Sequence, residues 1–312
     1  MDPALENIGW TEEQWNRICT TVTEEAQKAR VAAQFLPISG PEDANTIAIP
    51  RYTLSDEDNQ AYTRPPERRL IVDSNPTLYL TTIAINVHLR THETAAPDLT
   101  AALVMFRRAA NHIARIEDAL VFNGRPGKDK PPPTGLKGIP EVYRVTGDEH
   151  VAGIFWPGPR ADDDPDRRTY LAVDSPPAGN SYSSRGQPIV NAVVSAIEKL
   201  EGDGQLGPFA CVLGHDLFHD VCDPTSSLVL PRDRILPFLD GPLLRSSAIE
   251  TNWGAVIALS GSPVEIVVAS DVCVRFLQTT LEPRSVFRVS ERVALRIKEE
   301  KAIVVLRREA KR

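Results

Sequence analysis

The chain has 312 residues, 42% of them hydrophobic and 25% charged, with a formal net charge of −7. These proportions fit a soluble globular protein long enough for one large domain or two ordinary ones. The acidic balance argues against a surface that coats nucleic acid, and no apolar run approaches the ~18 residues of a membrane-spanning helix. The opening "MDPALENIGWTEEQW" lacks the basic and apolar regions of a signal peptide, so a cytoplasmic location and no membrane partner are expected. Cys19, Cys211, Cys222 and Cys273 form no C-x-x-C pair, which disfavours a zinc ribbon and favours buried, reduced thiols.

The first predicted element is a helix over residues 11–35. Thr11, with Gln14 three residues on and Glu12 and Glu13 between, has the form of a capping box. Trp15, Ile18, Val22, Ala26, Ala29 and Ala33 recur at helical spacing and give one apolar face, shallow in its alanine-rich second half. Residues 46–74 have short β-like alternation broken by an acidic cluster and by Pro65-Pro66, which suits a projecting hairpin with two extended arms. "TLYLTTIAINVHL" is a stronger strand. From Leu99 to Gly124 the apolar positions Leu103, Phe106, Ala110, Ile113, Ile116, Leu120 and Val121 follow helical period, and Gly124 is suited to end the helix. At 1.5 Å per residue this is a rod of about 37 Å, long enough to act as a spine.

Residues 126–188 hold 11 Pro and 8 Gly, and read mostly as loop with a short hairpin around "YRVTGDEHVAGIFW". The triple acid Asp162-Asp163-Asp164 within this stretch reads as a solvated charge run. After Pro188 come a helix closed by Gly202 and Gly204, the buried strand "PFACVLG", the short helix "HDLFHDVC", a small-residue loop and one more helix at "PRDRILPFLDG". The C-terminal third is strand-rich and predicts a mainly antiparallel sheet. The order of elements is an α+β plan.

The stretch "GHDLFH" places His215 and His219 on one face of a helix, the spacing of two zinc-binding histidines. Zinc chemistry needs a third ligand and normally a catalytic acid. Asp216 stands where that pattern has glutamate and is one methylene shorter, so a surface role with Asp216 capping the helix is the expectation and no metal is assigned. The chain shows no G-x-S-x-G elbow, no phosphate-binding loop and no dinucleotide fingerprint, so no catalytic residue and no cofactor is expected.

Five stretches in order resemble the encapsulins, the nanocompartment shell proteins of the linocin-type family, which have the tailed-phage major capsid protein fold. They are "WTEEQWNRI" followed by a helix and Gly40-Pro41; "IARIEDALVFNG" with the pair Glu117-Asp118; "GLKGIPEV"; "GPFACVLGHDLF"; and "FRVSERVALRIKEEKAIVVL" with Glu291 before an alternating strand. The resemblance covers most of residues 9–125 and 188–306, and departs from the family at about 142–186, where the chain carries an insertion.

The resemblance implies an N-terminal arm and interior-facing helix over 1–44, an extension loop over 45–78, a peripheral domain of 79–138 with 262–312, and an axial domain of 139–261. It implies self-assembly into an icosahedral particle of about 60 or more copies. It further implies a cargo enzyme such as a peroxidase, a ferritin-like or another redox protein, bound by its C-terminal targeting peptide. The positions matching the family's cargo groove are Ala26, Arg30, Ala33, Phe35 and Ile38, and the loop matching its five-fold pore offers Asp223, Thr225, Ser226 and Ser227. A prophage major capsid protein packaging DNA is the alternative, although nucleic acid is the less expected partner. A metal-dependent hydrolase centred on His215 and His219 is a third reading.

Overall fold

The computed structural model describes residues 8–43, 45–57, 69–126, 142–147, 150–156, 168–174, 185–223 and 229–308. The first helix, α1 (Glu12–Ala29), starts as expected: the Thr11 side chain accepts from Gln14 N, and the Gln14 side chain accepts in return from Thr11 N. It ends earlier than its periodicity predicts. Arg30 turns extended (φ −66°, ψ 132°), and a 3₁₀ turn follows at Ala32–Gln34. Asp118 is the cause, because its carboxylate accepts the N–H groups of Val31 (2.9 Å) and Ala32 (2.9 Å) and so replaces the helical ladder at that point.

The strands β1 (Ile38–Ser39), β2 (Ala48–Pro50), β3 (Thr53–Glu57), β4 (Arg69–Asp73) and β5 (Thr77–Tyr79) follow. The two arms of the expected hairpin, β3 and β4, pair antiparallel, and β2 pairs antiparallel with β5. Next come β6 (Thr81–Arg90), α2 (Thr91–Ala95) and the spine helix α3 (Thr100–Asn123). Alternate residues of β6, from Ile83 to Leu89, are buried while their neighbours face outward, the period-2 pattern of a sheet covered on one side. Gly124 closes α3 at φ +66°, and a Cβ there would press on the Val151 carbonyl oxygen, so glycine suits both the turn and the close approach.

The middle of the chain differs from its expected loop. Its strands are β7 (Arg125–Pro126), β8 (Tyr143–Thr146), β9 (His150–Val151) and β10 (Thr169–Val173). β8 and β9 do not form a hairpin with each other: β8 extends the sheet beside β6, and β9 pairs with β7. Ile154, Phe155 and Val173 are buried, and so is Arg168, which donates to the Ile154 carbonyl and pairs with Glu300 at 2.5 Å. This segment is anchored by a buried cation and by aromatic contacts of Phe155 with Phe122 and Trp253, which Pro and Gly content alone conceals. The triple acid at 162–164 lies outside the described residues.

The remaining elements are α4 (Gln187–Gly202), β11 (Phe209–Leu213), α5 (His215–Cys222), α6 (Pro231–Leu239), β12 (Leu243–Arg245), β13 (Trp253–Ala258), β14 (Val264–Thr279), β15 (Arg284–Ile297), a 3₁₀ turn (Glu300–Ala302) and β16 (Ile303–Arg308). The C-terminal strands build two sheets, not one. The first has the order β1-β14-β15-β6-β8 and the second β10-β16-β13-β11-β12. β16, from the end of the chain, thus joins the sheet of β10–β13, and β8 joins the sheet of β6, β14 and β15. The reason is pairing, since β16 bonds β13 on one side and the newly found β10 on the other.

The second sheet is covered on both faces, which explains the near-continuous apolar runs of β11, β13 and β16. Ala210, Val212, Ala255, Ile257, Ile303 and Val305 join the core that α1, α3 and the first sheet share. Cys211, Leu213, Val256, Ala258, Val304 and Leu306 face the other way, into a core closed by α4, α5 and α6. Of the four thiols only Cys211 is fully buried, and burial pushes it up to about 12; the other three are half-buried. Among the described residues no helix is long and apolar enough to cross a membrane.

Candidate functional site

The five residues matched to a cargo groove do not share one surface. Ala26 is fully buried in the α1–α3 contact, and Phe35 is buried against Phe122. Arg30 is 6% exposed. Only Ala33, half-buried, and Ile38, 56% exposed on the edge strand β1, present side chains outward. The shallow alanine face of α1 packs against the chain's own spine helix, so Ala26, Arg30 and Phe35 turn inward in the subunit.

Arg30 instead joins three elements. Its Nε lies 2.5 Å from Glu117 Oε2 on α3, and its terminal nitrogen lies 2.6 Å from Glu291 Oε2 on β15 and 2.9 Å from Asp271 Oδ1 on β14. Glu117 and Glu291 are 2% and 1% exposed. Burial raises both carboxyls above the usual range, against the pull of the Arg30 cation; the Glu117 charge raises Glu291 further, Asp271 adds to both, and a hydrogen bond with Glu291 pulls Glu117 back down. Asp118, beside them, is pushed up to about 7 by burial although the Ala32 N–H pulls it down. Glu117, Asp118 and Glu291 carry part of the family resemblance, but their joint contact with Arg30 was not foreseen. The signal was available: acids at positions flanked by Ile116, Leu120 and the apolar β15 alternation sit where the period demands apolar residues, so each needs a buried partner.

At the other end of the molecule α5 begins directly after β11. His215 and His219 both lie on its outer face, with side chains 64% and 62% exposed. Asp216 does not cap the helix: Gly214 is the N-cap, with no side-chain hydrogen bond, and the Asp216 carboxylate is exposed. Among the described residues His215 and His219 do not converge on a common third ligand. His219 Nδ1 lies 3.8 Å from Asp223 and 3.9 Å from Asp220, and these three form the one group among the described residues whose spacing could hold a cation. Asp220 is already engaged by Arg308 at 2.6 Å. An open pocket of about 340 Å³ between Arg185, Arg308 and the two histidines adjoins this group. Asp223 is the C-cap of α5, where the helix hands over to the small-residue loop; Thr225, Ser226 and Ser227 lie outside the described residues.

Comparison with known proteins accounts for this architecture. The family model described as an encapsulating protein for peroxidase (Linocin_M18) matches residues 6–142 and 175–294. The two matched segments flank residues 143–174, the span that carries β8, β9 and β10. A diheme-cytochrome–encapsulin shell fusion protein of Kuenenia stuttgartiensis is 26% identical over 96% of this chain and 74% of its own length. Among solved structures, the virus-like particle from Pyrococcus furiosus superposes with a TM-score of 0.65 at 14% identity, covering 95% of this chain and 100% of that one. The capsid of Myoviridae phage XM1 reaches a TM-score of 0.57 at 9% identity, over 89% of this chain and 91% of that one. The two sheets, the spine helix and the fold of these particles therefore agree, and the chain belongs to the encapsulin shell protein family, with the tailed-phage major capsid fold.

Proposed function

We propose that the chain is the repeating subunit of a closed icosahedral compartment of about 60 or more copies, which encloses a redox enzyme of the peroxidase class. The observation that carries this reading is the family match on both sides of residues 143–174, in a chain whose fold spans the whole of a particle-forming relative. Electron microscopy of the purified protein tests it: closed particles of uniform diameter are expected, and a discrete monomer or dimer overturns it. The contents of the particle separate the two capsid-fold readings. Co-purifying protein is expected, whereas packaged DNA makes the subunit a phage capsid protein.

Cargo docks, on this reading, by an apolar C-terminal peptide laid against the segment after α1. Ala33 and Ile38 are the matched residues left available, and an edge strand with an exposed isoleucine suits an extended peptide with alternate apolar anchors. Ile38→Asp should lower cargo per particle about tenfold, the effect of losing roughly 1.4 kcal/mol at an anchor, with particle yield unchanged. Quantitative mass spectrometry of intact particles measures the ratio, and unchanged loading overturns the assignment of this surface. Asp223, with Thr225, Ser226 and Ser227 beyond it, is the proposed rim of a polar pore for ions and small substrates, where repeated copies of one carboxylate favour cations.

A further inference from the structure

The Arg30 cluster has more buried acid than it has cation. One guanidinium faces Glu117, Glu291 and Asp271, and the side chains of these acids are 2%, 0% and 51% exposed. Water can solvate the Asp271 charge, but among the described residues the charges of Glu117 and Glu291 have Arg30 alone as a cation in contact. Glu291 Oε1 is shielded from solvent and, as a bare carboxylate oxygen, has no hydrogen-bond partner among the described residues. A proton there removes one charge and lets Glu291 donate to Glu117.

We propose that Glu117 and Glu291 hold one proton between them, and that this proton is a latch: while it is bound, the end of α1 stays fastened to the spine helix and the first sheet, and its loss at alkaline pH releases α1. The groups facing the pair from the packed elements are Arg30 from the end of α1, Asp118 from α3 and Asp271 from β14. The titratable residues of β6, His88 and Arg90, are exposed on its other side. Asp118 cannot substitute for the latch, since its oxygens are occupied by the N–H groups of Val31 and Ala32. With the proton gone, two buried carboxylates face one guanidinium, and the relief available is for the Arg30 end of α1 to move into water. The same movement frees the segment that carries Ala33 and Ile38.

The sign follows from the raised carboxyl. The folded chain keeps a proton that the unfolded chain has already released in the ordinary carboxylate range, so the stabilisation is present at low pH and declines as pH rises toward the folded value. Where one proton is released on opening, the opening constant grows about tenfold per pH unit. Hydrogen exchange of the intact protein between about pH 6 and pH 10, corrected for intrinsic exchange, reads this directly. Protection over residues 12–32 should fall by about that factor per unit relative to α4, which packs in the other core. Glu291→Gln keeps a neutral donor beside Glu117 and should remove the slope above about pH 8, leaving only the contribution of Asp118, which is pushed up to about 7 and also holds the end of α1. Glu117→Gln, with Glu291 then ionised against Arg30, should do the same, and serves if the first variant does not fold. A wild-type α1 whose protection tracks α4 throughout overturns the proposal, and so does a glutamine variant with the wild-type slope. The readout belongs to the subunit's own helix, so it stands apart from whether the chain forms a particle or holds cargo.

Discussion

Replacing Arg30 by methionine will detach the N-terminal helix from the spine and cost about 3–5 kcal/mol, the effect of removing one partner from a buried ion cluster. Methionine fills a similar length of stem, so the loss comes from charge and not from a cavity. Glu117 lies 2.5 Å and Glu291 2.6 Å from the guanidinium, and without it neither has another cation in contact among the described residues. The expected result is a lower denaturant midpoint with an unchanged slope, and fewer assembled particles. A triple variant, with Glu117→Gln and Glu291→Gln added to Arg30→Met, should recover part of the loss, because a neutral amide pair needs no cation. An Arg30→Met protein with the wild-type midpoint would sink the view that this arginine compensates the buried acids.

The elements that sequence reading located share one property: their signals are local. The Thr11–Gln14 capping box, the apolar period of α3 and the glycine at 124 lie within a few residues of the structure they specify. What was missed depends on distant partners. α1 stops at Ala29 because a carboxylate 87 residues away takes the Val31 N–H, and no helical periodicity records that. β10 is visible as a short β-prone run only once β16, whose Val304 pairs with Thr169, is beside it. The burial of Ala26 and Arg30 depends on distant partners in the same way. A helix face of small residues is shallow whether it awaits a peptide or is covered by α3, and Arg30 reads as a surface cation until its partners on α3 and β15 are known. At the other end the outward placement of His215 and His219 was legible from their spacing. That His219 would turn toward Asp223 and Asp220 was not, because it depends on how α5 ends.

Phe287→Ala will be the most damaging single truncation in the core beneath α1, at about 3–5 kcal/mol. The side chain is fully buried on β15 and sits at the centre of an aromatic group. Trp10 stacks on it at 5.0 Å with the rings 12° apart, Phe106 and Phe276 meet it edge-on at 5.4 and 5.5 Å, and Trp15 lies at 6.4 Å. These contacts draw from four parts of the chain: the segment before α1, α1 itself, the spine helix and the first sheet. Removing the ring therefore takes away a transfer term, leaves a cavity walled by elements that cannot all collapse into it, and deletes stacking geometry beyond the buried area. Trp10 provides the local readout. Its indole N–H donates to the Thr94 carbonyl at 2.8 Å, which holds one side of the ring while Phe287 holds its face. Loss of Phe287 should admit water to that face and shift tryptophan emission to longer wavelength even in the folded protein, alongside the fall in the denaturant midpoint. Phe287→Leu, which keeps most of the volume, should recover more than half of the stability while leaving the emission shifted. An alanine variant with native emission and a loss under about 1 kcal/mol would mean that the aromatic group does not fasten α1 to the sheet.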